Sequence, residues 1–582
     1  CTECSFITSE KMPTKFLETL RLKANNHMAF IAMSELNDAP LKDLTNQLNK
    51  EEYWKNNLKI LGTPYTNLVL DSYSKSIKKY LFPVLFVGIL ISLCLLYKSI
   101  WVGLFLFFPC LMSASLTLSL IKIIFGESNL IISIIPLLMF VINLALVFHL
   151  YCTWRECESF HRVLNEKLRP IYLMIITTVV GFSSLYLSNL KAISHFGVMS
   201  AICILVSSLL TLLWFYLIDN IFKEKLNRGD DWFLDKIRFN SHVFFNFKMI
   251  SIICLLGIVL GVLSFKQITV ITDANRYFPK SSGLTQSMNE VSEKVMGLPL
   301  LEITIRNNDI NIEQLKKIAA IELKLSKELK EKEIDYISLN KLIEKANFVY
   351  TKKEEIPSIA IAYQSLTNSL PPSMNESFPY DKNYRITLLG KAINVDEYEK
   401  LLGIVKNVLR DHSYEFNGLY YHLMIAQKEM IKTLIQSFLA SLIIISFIAF
   451  FAFRSIRVFF LFLFVNIIPV LISFPIMYIT GLSFNIATVM TYSISLGLIV
   501  DSSFHLIHIL NKENIDKNYY HQTVAKPILM TSIILILSFS FFGFNPFLPI
   551  RQFGVCLALI LFLGLIFDLK ILPALFLGKE QL

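Results

Sequence analysis

The sequence predicts a polytopic α-helical membrane protein with two similar half-bundles of helices and ferredoxin-like α+β domains outside the membrane. Three observations predict this fold class: the composition, a series of apolar stretches of membrane-spanning length, and an internal repeat. The 582 residues are 54% hydrophobic and 17% charged, with a mean hydropathy of +0.54. A soluble domain carries about 25% charged residues, so most of this chain is expected to lie in lipid.

Eleven apolar stretches are long enough to cross the hydrocarbon core, which takes about 20 residues of helix. They fall into two groups on either side of a polar block at 267–430. The first group lies near residues 80–97, 101–124, 130–152, 170–189, 194–218 and 249–266. The second group lies near residues 433–453, 457–480, 484–510, 526–545 and 552–577.

The two groups are related by an internal repeat in which several motifs recur at the same spacing. An Asn precedes a His by 20 residues in both halves, and a Pro precedes a Phe-Gly-Val motif by 26 residues in both. A parallel repeat of this kind predicts two half-bundles related by a pseudo-twofold axis along the membrane normal, as in secondary transporters. The matched motifs, first half before second, are Tyr97-Lys98-Ser99-Ile100 with Phe453-Arg454-Ser455-Ile456, Asn129 and His149 with Asn485 and His505, and Pro170 and Phe196 with Pro527 and Phe553.

The repeat also predicts the domain organisation, in which each half begins with one helix, continues with an external domain and ends with five helices. The second half follows this plan, whereas no leading helix precedes the first external region. We therefore expect twelve spans in the full protein, and a fragment or processed chain that lacks one span and part of its first external domain. The predicted parts are a truncated first external domain (1–78), a first five-helix bundle (79–218), a cytoplasmic linker with an amphipathic helix (219–248), a transmembrane helix (249–266), a second external domain (267–430) and a second five-helix bundle (431–582).

The orientation follows from the short loops, because Lys and Arg are retained on the cytoplasmic side of a membrane. The loops at 153–169 and 219–248 are rich in Lys and Arg, whereas the intervening short connections carry only Lys191. Both polar blocks, 1–78 and 267–430, are therefore expected on the periplasmic side of a cell inner membrane.

The second external region is predicted to contain two βα units. The runs at 301–305 and 384–389 have the composition of strands, and each precedes an amphipathic helical pattern, the second of which lies at 395–409. Two such units predict a ferredoxin-like α+β sandwich. A similar strand and helix are predicted in the first external region at 28–50.

Several motifs carry a family resemblance. The second external region opens with Asp273-Ala274-Asn275-Arg276-Tyr277-Phe278-Pro279, and the fourth helix of the second half contains Gly497-Leu498-Ile499-Val500-Asp501-Ser502-Ser503-Phe504-His505. Together they resemble the RND superfamily, in particular its MMPL and hydrophobe/amphiphile efflux branch, which also contains the sterol-sensing-domain proteins. The resemblance covers nearly the whole chain, and its most specific element is the glycine-acid-histidine motif. It implies export of lipids or amphiphiles driven by the proton-motive force, and a sterol-sensing-like first bundle.

The chain departs from the family pattern at the acidic positions. Asp501 is followed by Ser502, where the family often has a second acid or a tyrosine. When His149 is aligned with His505, Ala145 stands at the acidic position of the first half and Val141 at the glycine. Any proton relay is therefore expected to depend on the second half alone.

Asp501, His505 and His508 are predicted to form that relay, since they lie at i, i+4 and i+7 on one stripe of a helix. A carboxyl group within an apolar span is costly when charged, so it is normally protonated, paired or in contact with water. Two alternatives stay open. Asp501 is a structural acid bonded to a hydroxyl or an arginine, or the histidines are interfacial residues whose polar ends reach the membrane surface.

Two further residues belong to the predicted relay region. Gly497, one turn before Asp501, is predicted to allow close packing against the segment 130–152. Ser538 on the neighbouring helix is predicted to complete the relay, because it lies at a similar depth to Asp501 by rise per residue.

The remaining motifs argue against other classes of function. The sequence contains no GxxxxGK[ST], nucleophile elbow or HExxH motif, so no enzyme, cofactor or metal site is predicted. The net charge of +10 arises from loops between spans, which argues against nucleic-acid binding. The predicted partners are membrane lipids, an amphiphilic or lipid substrate and protons, and a homo-oligomer is compatible with the sequence. Two other functions stay open: a non-transporting, sterol-sensing-like lipid-binding protein, and a protein-export auxiliary.

Overall fold

The computed structural model describes residues 63–125, 131–157, 160–226, 247–271, 277–287, 298–306, 312–351, 383–391, 393, 395–410, 412–510 and 525–577, and four residue pairs before residue 34. The pairs form two short antiparallel ladders, Ser5–Phe6 with Ala32–Met33 and Lys23–Ala24 with His27–Met28. The described residues form two compact units. We call the described residues of Cys1–Leu68 and Thr272–Gln427 the external unit, and those of Val69–Ile271 and Lys428–Leu582 the membrane unit.

Three sequence predictions fall largely outside the described residues. They are the helix of the first external region within 28–50, the amphipathic helix of the linker at 219–248, and the first part of the motif at 273–279. All three stay predictions.

In the first half of the chain, the apolar stretches form helices, some of which depart from the predicted bounds: the helix over 170–189 begins at Phe160 and ends at Ser183, and the helix over 194–218 ends at Leu226. A π-helical turn, Ile77–Leu81, joins the first two of them. The helices are α1 (Thr63–Ser76), α2 (Phe82–Tyr97), α3 (Ile100–Phe125), α4 (Ile135–Cys157), α5 (Phe160–Ser183), α6 (Lys191–Leu226) and α7 (Phe247–Phe265).

The external unit contains the predicted βα units. Its four strands form one antiparallel sheet in the order β2-β3-β1-β4. The units β1-α8-β2 and β3-α10-β4 give the ferredoxin-like arrangement, with α9 added after β2. The elements are β1 (Leu298–Arg306), α8 (Ile312–Leu329), β2 (Asp335–Ser338), α9 (Leu339–Thr351), β3 (Asn383–Gly390), α10 (Val395–Val408) and β4 (Tyr414–Asn417).

The second half of the chain forms the second bundle. Its last two helices are joined by a π-helical turn, Phe567–Ile571. The helices are α11 (Leu419–Phe453), α12 (Ile456–Thr480), α13 (Ile486–Leu510), α14 (Lys526–Phe541), α15 (Leu548–Ile566) and α16 (Leu572–Leu577).

Ten helices among the described residues are long and apolar enough to cross a membrane, and α7 contains a shorter apolar helix, Cys254–Phe265. These helices correspond one to one with the eleven predicted stretches. The predicted fold class, a polytopic helical membrane protein with an α+β external domain, is therefore confirmed.

The internal repeat is visible in the backbone. The matched turns after α2 and α11 each place a basic residue in the left-handed region, Lys98 with φ 45° and Arg454 with φ 52°. Residues other than glycine rarely adopt this conformation, so its recurrence at equivalent positions supports a common origin for the two half-bundles.

The central helices of the membrane unit are α4 and α13, which carry the matched residues His149 and His505. The most apolar windows of these helices are 89% and 94% buried, against 28% to 61% in the other apolar spans among the described residues. Each central helix packs against the helix that follows the central helix of the other half: α13 contacts α5, and α4 contacts α14. The two contacts are related by the repeat, since α5 and α14 are matched helices.

A buried carboxyl group lies in the core of the external unit. Glu322 on α8 is 3% exposed. The hydroxyl of Tyr384 donates to Glu322 Oε1 at 2.9 Å, and Asn340 Nδ2 donates to Oε2 at 3.3 Å. Burial raises the pKa of Glu322 from its ordinary value of 4.5 to about 7, although hydrogen bonds from Ser338, Tyr384 and Asn340 oppose the rise.

Glu322 is expected to make the external unit less stable as the pH rises. Between pH 4.5 and about 7 the folded state binds more protons here than the unfolded state, so the free energy of unfolding falls through this window. The loss is on the order of 3 kcal/mol. Hydrogen exchange of the β3 amides in the full chain, corrected for the intrinsic rate, measures it at about pH 5 and about pH 8. Glu322→Gln should abolish the difference, and an unchanged difference in that variant would assign it to another group.

Candidate functional site

Asp501 lies at the contact between the two half-bundles. It is near the middle of the central helix α13 and is 9% exposed. Its partners are on α5 of the other half, where the Thr177 hydroxyl lies 3.1 Å from Oδ1 and the Thr178 hydroxyl lies 3.2 Å from Oδ2. Among the residues that the structure describes, no cation forms an ion pair with Asp501. The charge state of this carboxyl group therefore depends on hydroxyl groups rather than on a counter-ion.

The distances from the two threonine hydroxyls show which arrangements of protons this geometry allows. Each threonine hydroxyl has one proton to donate, and each lies closer to a carbonyl of its own helix than to Asp501. The Thr177 hydroxyl is 2.9 Å from Leu173 O, and the Thr178 hydroxyl is 2.8 Å from Met174 O. When both threonines donate to their own helix, the contact with Asp501 needs a proton from the carboxyl group. The two threonines can also turn their protons toward an ionised Asp501, so the site accommodates both states.

Two glycines bring α5 and α13 close enough for this contact. A Cβ added at Gly181 would lie 2.9 Å from Ser493 O and 3.3 Å from the Cα of Gly497, and one added at Gly497 would lie 3.3 Å from Thr177 O. Small residues allow such approach of helix backbones in membranes. The predicted partner of Gly497 was wrong, because this glycine packs against α5 and not against the segment 130–152.

The segment 130–152 instead contacts the predicted relay residues through His149, which stacks on His505. The rings of His149 and His505 stack with centroids 4.5 Å apart and an interplanar angle of 8°. Two like charges at this distance repel by about 4 kcal/mol at an effective dielectric constant of about 20. His508, one turn further along α13, is only half-buried.

A small cavity of about 30 Å³, with a lining of both polar and apolar residues, adjoins Asp501. A site for one water needs about 10–15 Å³ on this measure, so the cavity has room for about two. Its polar lining comes from both half-bundles. The polar lining residues are Asn143, His149, Thr178, Ser207, Ser208, Asp501, Ser502 and Thr531.

The matched contact between α4 and α14 lacks the polar groups of this site. Under the repeat, Ala145 corresponds to Asp501 and Leu535 corresponds to Thr178. Both apolar residues line the same cavity. The first half thus lacks the acid, and the second half lacks the hydroxyl partner that such an acid would need.

The remaining predicted relay residue lies beside the cavity rather than in it. Ser538 on α14 is buried but does not line the cavity, and under the repeat it corresponds to Gly181. Thr531, on the same helix, lines the cavity, and its hydroxyl is 2.9 Å from Pro527 O of its own backbone. The role of Ser538 stays a prediction.

Sequence reasoning missed Thr177 and Thr178. Both lie within a predicted span, and threonines in such helices usually bond to their own backbone. A signal was nevertheless present, since Gly181 follows Thr177 by four residues and so lies on the same face.

Filling the cavity is expected to inhibit proton access to Asp501. Ala145→Leu adds three carbon atoms to the wall of a space that holds about two waters, whereas Ala145→Ser leaves most of the space and adds a hydroxyl. We expect gradient-driven proton uptake by vesicles containing the leucine variant to fall at least tenfold and that of the serine variant to stay near the unmodified level. Equal rates for the two variants would contradict a role for the cavity.

Within the described part of the chain, no group of His, Cys, Asp and Glu residues is arranged to hold a metal ion. The candidate site is built from carboxyl, hydroxyl and imidazole groups.

Neither a protein-family model nor a curated protein sequence matches the chain. Among solved structures, the chain is similar to SecDF, a translocon-associated membrane protein from Thermus thermophilus, with a TM-score of 0.51 and 14% identity. The match covers 88% of this chain and 63% of SecDF, so the chain spans less than two thirds of that protein's length. It is also similar to Disp, the hedgehog release protein of the water bear Hypsibius dujardini, with a TM-score of 0.59 and 12% identity, over 95% of this chain and 77% of Disp. At these identities the likeness concerns the fold.

Proposed function

From the RND-type fold that this chain shares with SecDF and Disp, we propose that it is a secondary active transporter in which proton movement through Asp501 drives the export of hydrophobic or amphiphilic molecules. The RND-type, sterol-sensing-related fold that the sequence motifs predict is confirmed, and so is a multi-pass membrane protein. The transport reaction, its direction and its substrate belong to the proposal.

One observation carries the proposal: a buried carboxyl group of one half-bundle is held by hydroxyl groups of the other. Asp501 on α13 contacts Thr177 and Thr178 on α5. Loss of the Asp501 proton changes which groups donate across this contact, so it changes the free energy of the packing between the halves. A conformational equilibrium between the half-bundles can then be shifted by proton binding, which is the requirement for coupling.

The cost of ionising a carboxyl group in the membrane is comparable with the free energy that a proton gradient supplies. A charged carboxyl group within the membrane costs several kcal/mol. A proton that moves down a membrane potential of about 100 mV releases about 2.3 kcal/mol. Hydroxyl donors lower the cost of the charged state, and the adjoining cavity has room for about two waters that would lower it further. A single carboxyl group can therefore load and release a proton under a physiological gradient.

The proposed location is a cell inner membrane, with the external domains on the periplasmic side, because the cation-rich loops are expected in the cytoplasm. The external domains would receive an amphiphile from the outer leaflet and pass it outward. Membrane lipids, the amphiphile and protons are the proposed partners, and a homo-oligomer is compatible with the proposal.

Reconstituted vesicles test the proposal. The full chain is placed in phospholipid vesicles that contain a fluorescently labelled phospholipid as the probe, and an inward or outward proton gradient is imposed. Transport predicts that the probe redistributes between leaflets faster with the gradient than without it, and that a protonophore removes the difference. A rate indifferent to the gradient and to the protonophore would contradict proton coupling.

The second candidate is an auxiliary of protein export. It is favoured by the two solved structures, one a translocon-associated protein and the other a release protein for hedgehog. Deletion in the native host separates the candidates: secretion of preproteins falls if the chain assists protein export, whereas retention of an amphiphilic dye rises if it exports amphiphiles.

A third candidate is a lipid-binding, sterol-sensing-like protein without coupling. The apolar pair Ala145 and Leu535 favours it, because one of the two matched contacts has no ionisable group. Gradient-driven proton uptake by vesicles that contain the chain would exclude this candidate.

A further inference from the structure

A second carboxyl group is buried in the membrane unit. Asp568 is 2% exposed and lies in the π-helical turn between α15 and α16. This turn contacts α12, α13, α15 and α16. Three of its other four residues, Phe567, Leu569 and Ile571, belong to the apolar core of the second bundle, and the fourth is Lys570. Asp568 thus occupies an apolar environment in which a carboxyl group is costly unless it is protonated or well bonded.

Asp568 is bonded to the opposite side of α13 from Asp501. The Ser503 hydroxyl donates to Asp568 Oδ1 at 2.6 Å, and Asn466 Nδ2 on α12 donates to the Ser503 oxygen at 3.1 Å. Asn466 Nδ2 also donates to Phe462 O at 2.8 Å. Donation runs from Asn466 through Ser503 to the carboxyl group, which fits an Asp568 that accepts a hydrogen bond.

The first half joins the matched elements through neutral groups. Under the repeat, Asp568 corresponds to Thr211, 15 residues after the matched Phe-Gly-Val motif in each half. The Thr211 hydroxyl donates to Asn143 Oδ1 at 3.0 Å, and Asn143 Nδ2 donates to Pro109 O at 3.2 Å. A hydroxyl and an amide thus join α3, α4 and α6, as Asp568, Ser503 and Asn466 join the matched elements. A carboxyl group is therefore not needed to hold these three elements together.

We infer that Asp568 is a second proton-binding site, which loads and releases a proton through the polar contact with Ser503 and Asn466. The inference rests on the proposed function, because a second site has a purpose only in a proton-driven protein. Asp501 and Ser503 are two residues apart, so they face opposite sides of α13, about 200° around it, and differ by about 3 Å in depth. The central helix α13 thus contacts or carries a carboxyl group on each of two opposite sides. Both carboxyl groups, those of Asp501 and Asp568, come from the second half of the chain.

One cationic residue, Lys570, lies in the turn itself, and the other charged and titratable groups of the surrounding elements lie elsewhere along them. On α13, the relay residues face away from Ser503, toward the other half-bundle. Among the described residues of the neighbouring elements, the remaining such groups are Tyr492 on α13, Arg457 and Tyr478 on α12, and Arg551 and Cys556 on α15. Arg457, Tyr478 and Arg551 are exposed, and Cys556 lies twelve residues before Asp568.

Infrared spectroscopy of the full chain in lipid tests the inference, because a protonated carboxyl group gives a carbonyl stretching band that disappears on ionisation. The spectra are recorded from about pH 4 to about pH 10 in a Glu322→Gln background, which removes the buried carboxyl of the external unit. We expect two buried carboxyl bands, one absent in Asp568→Asn and the other absent in Asp501→Asn. Ser503→Ala should shift the Asp568 band and leave the Asp501 band unchanged.

The outcomes separate the two proposals. If Asp568→Asn leaves the set of titrating bands unchanged, Asp568 is not a proton-binding site, whereas the Asp501 band and the proposed function are unaffected. If the Asp501 band does not titrate, the proposed function fails. Should Asp568→Asn not fold, Asp568→Thr introduces the residue of the matched first-half position, which forms the neutral contact there, and the same band must be absent from its spectrum.

Discussion

Asp501→Asn is expected to reduce proton-gradient-driven transport to the level of vesicles without protein. Asparagine has nearly the same shape as aspartic acid and can still bond to Thr177 and Thr178, but it cannot take up or release a proton. We expect the variant to fold, with a free energy of unfolding within about 1 kcal/mol of the unmodified protein. The measurement is the gradient-dependent redistribution of the labelled phospholipid, together with proton uptake.

Asp219→Asn is the matched control. Asp219 is near the end of α6, where its carboxyl group accepts hydrogen bonds from Trp154 Nε1 and from the Phe160 backbone N–H at the start of α5. The same chemical change there removes a charge from the bundle without altering the contact between the halves. Loss of transport in the control as well would show that any removal of charge inactivates the protein. Full activity of Asp501→Asn would exclude Asp501 as the proton carrier.

Gly181→Val is expected to separate α5 from α13 and to reduce transport by about 100-fold. A Cβ at this position would lie 2.9 Å from Ser493 O and 3.3 Å from the Cα of Gly497. These are backbone atoms that cannot turn away, so the helices must move apart, and a displacement of about 1 Å at a reacting group can cost about 100-fold in rate. Overpacking of this kind also costs about 1–3 kcal/mol of stability.

Gly88→Val is the control for the change of residue itself. Gly88 lies on the exposed face of α2, and a Cβ there would meet nothing within 4 Å. Valine in a membrane helix at that position should leave both stability and transport unchanged. If Gly181→Val were as active as Gly88→Val, the close approach of the two helices would not be needed to position Asp501.

The two half-bundles have kept the same plan and diverged in their chemistry. One cross-contact, between α5 and α13, has two glycines, two threonines and an acid. The matched contact, between α4 and α14, has Val141, Ala145, Ile534, Leu535 and Ser538 at the corresponding positions. Close packing and ionisable groups thus occur together on one side of the unit. The contact between α4 and α14 has a larger residue at each glycine position and no carboxyl group at the position of Asp501.

Several features of the fold could be predicted from the sequence because they depend on local composition. Helices α2 to α6 and α11 to α15 follow from apolar stretches, since a backbone in lipid must satisfy its hydrogen bonds within the helix. The matched turns at Lys98 and Arg454, the α+β external region and the isolated acid Asp501 were likewise visible in the residues themselves. The resemblance to the RND superfamily was likewise visible, because each motif that carries it is a short continuous segment of the sequence.

Only the tertiary structure decided which groups Asp501 meets. Thr177 is 324 residues away in the chain, and which face of α5 turns toward α13 depends on how two long helices cross. The same reason explains the misplaced partner of Gly497, the stacking of His149 on His505, and the bond between Ser503 and Asp568. The sequence alone determined that an acid would lie in the membrane. The packing of helices from different halves determined that it faces hydroxyl groups of the other half and a small cavity, because contacts between distant segments are set by shape and not by local pattern.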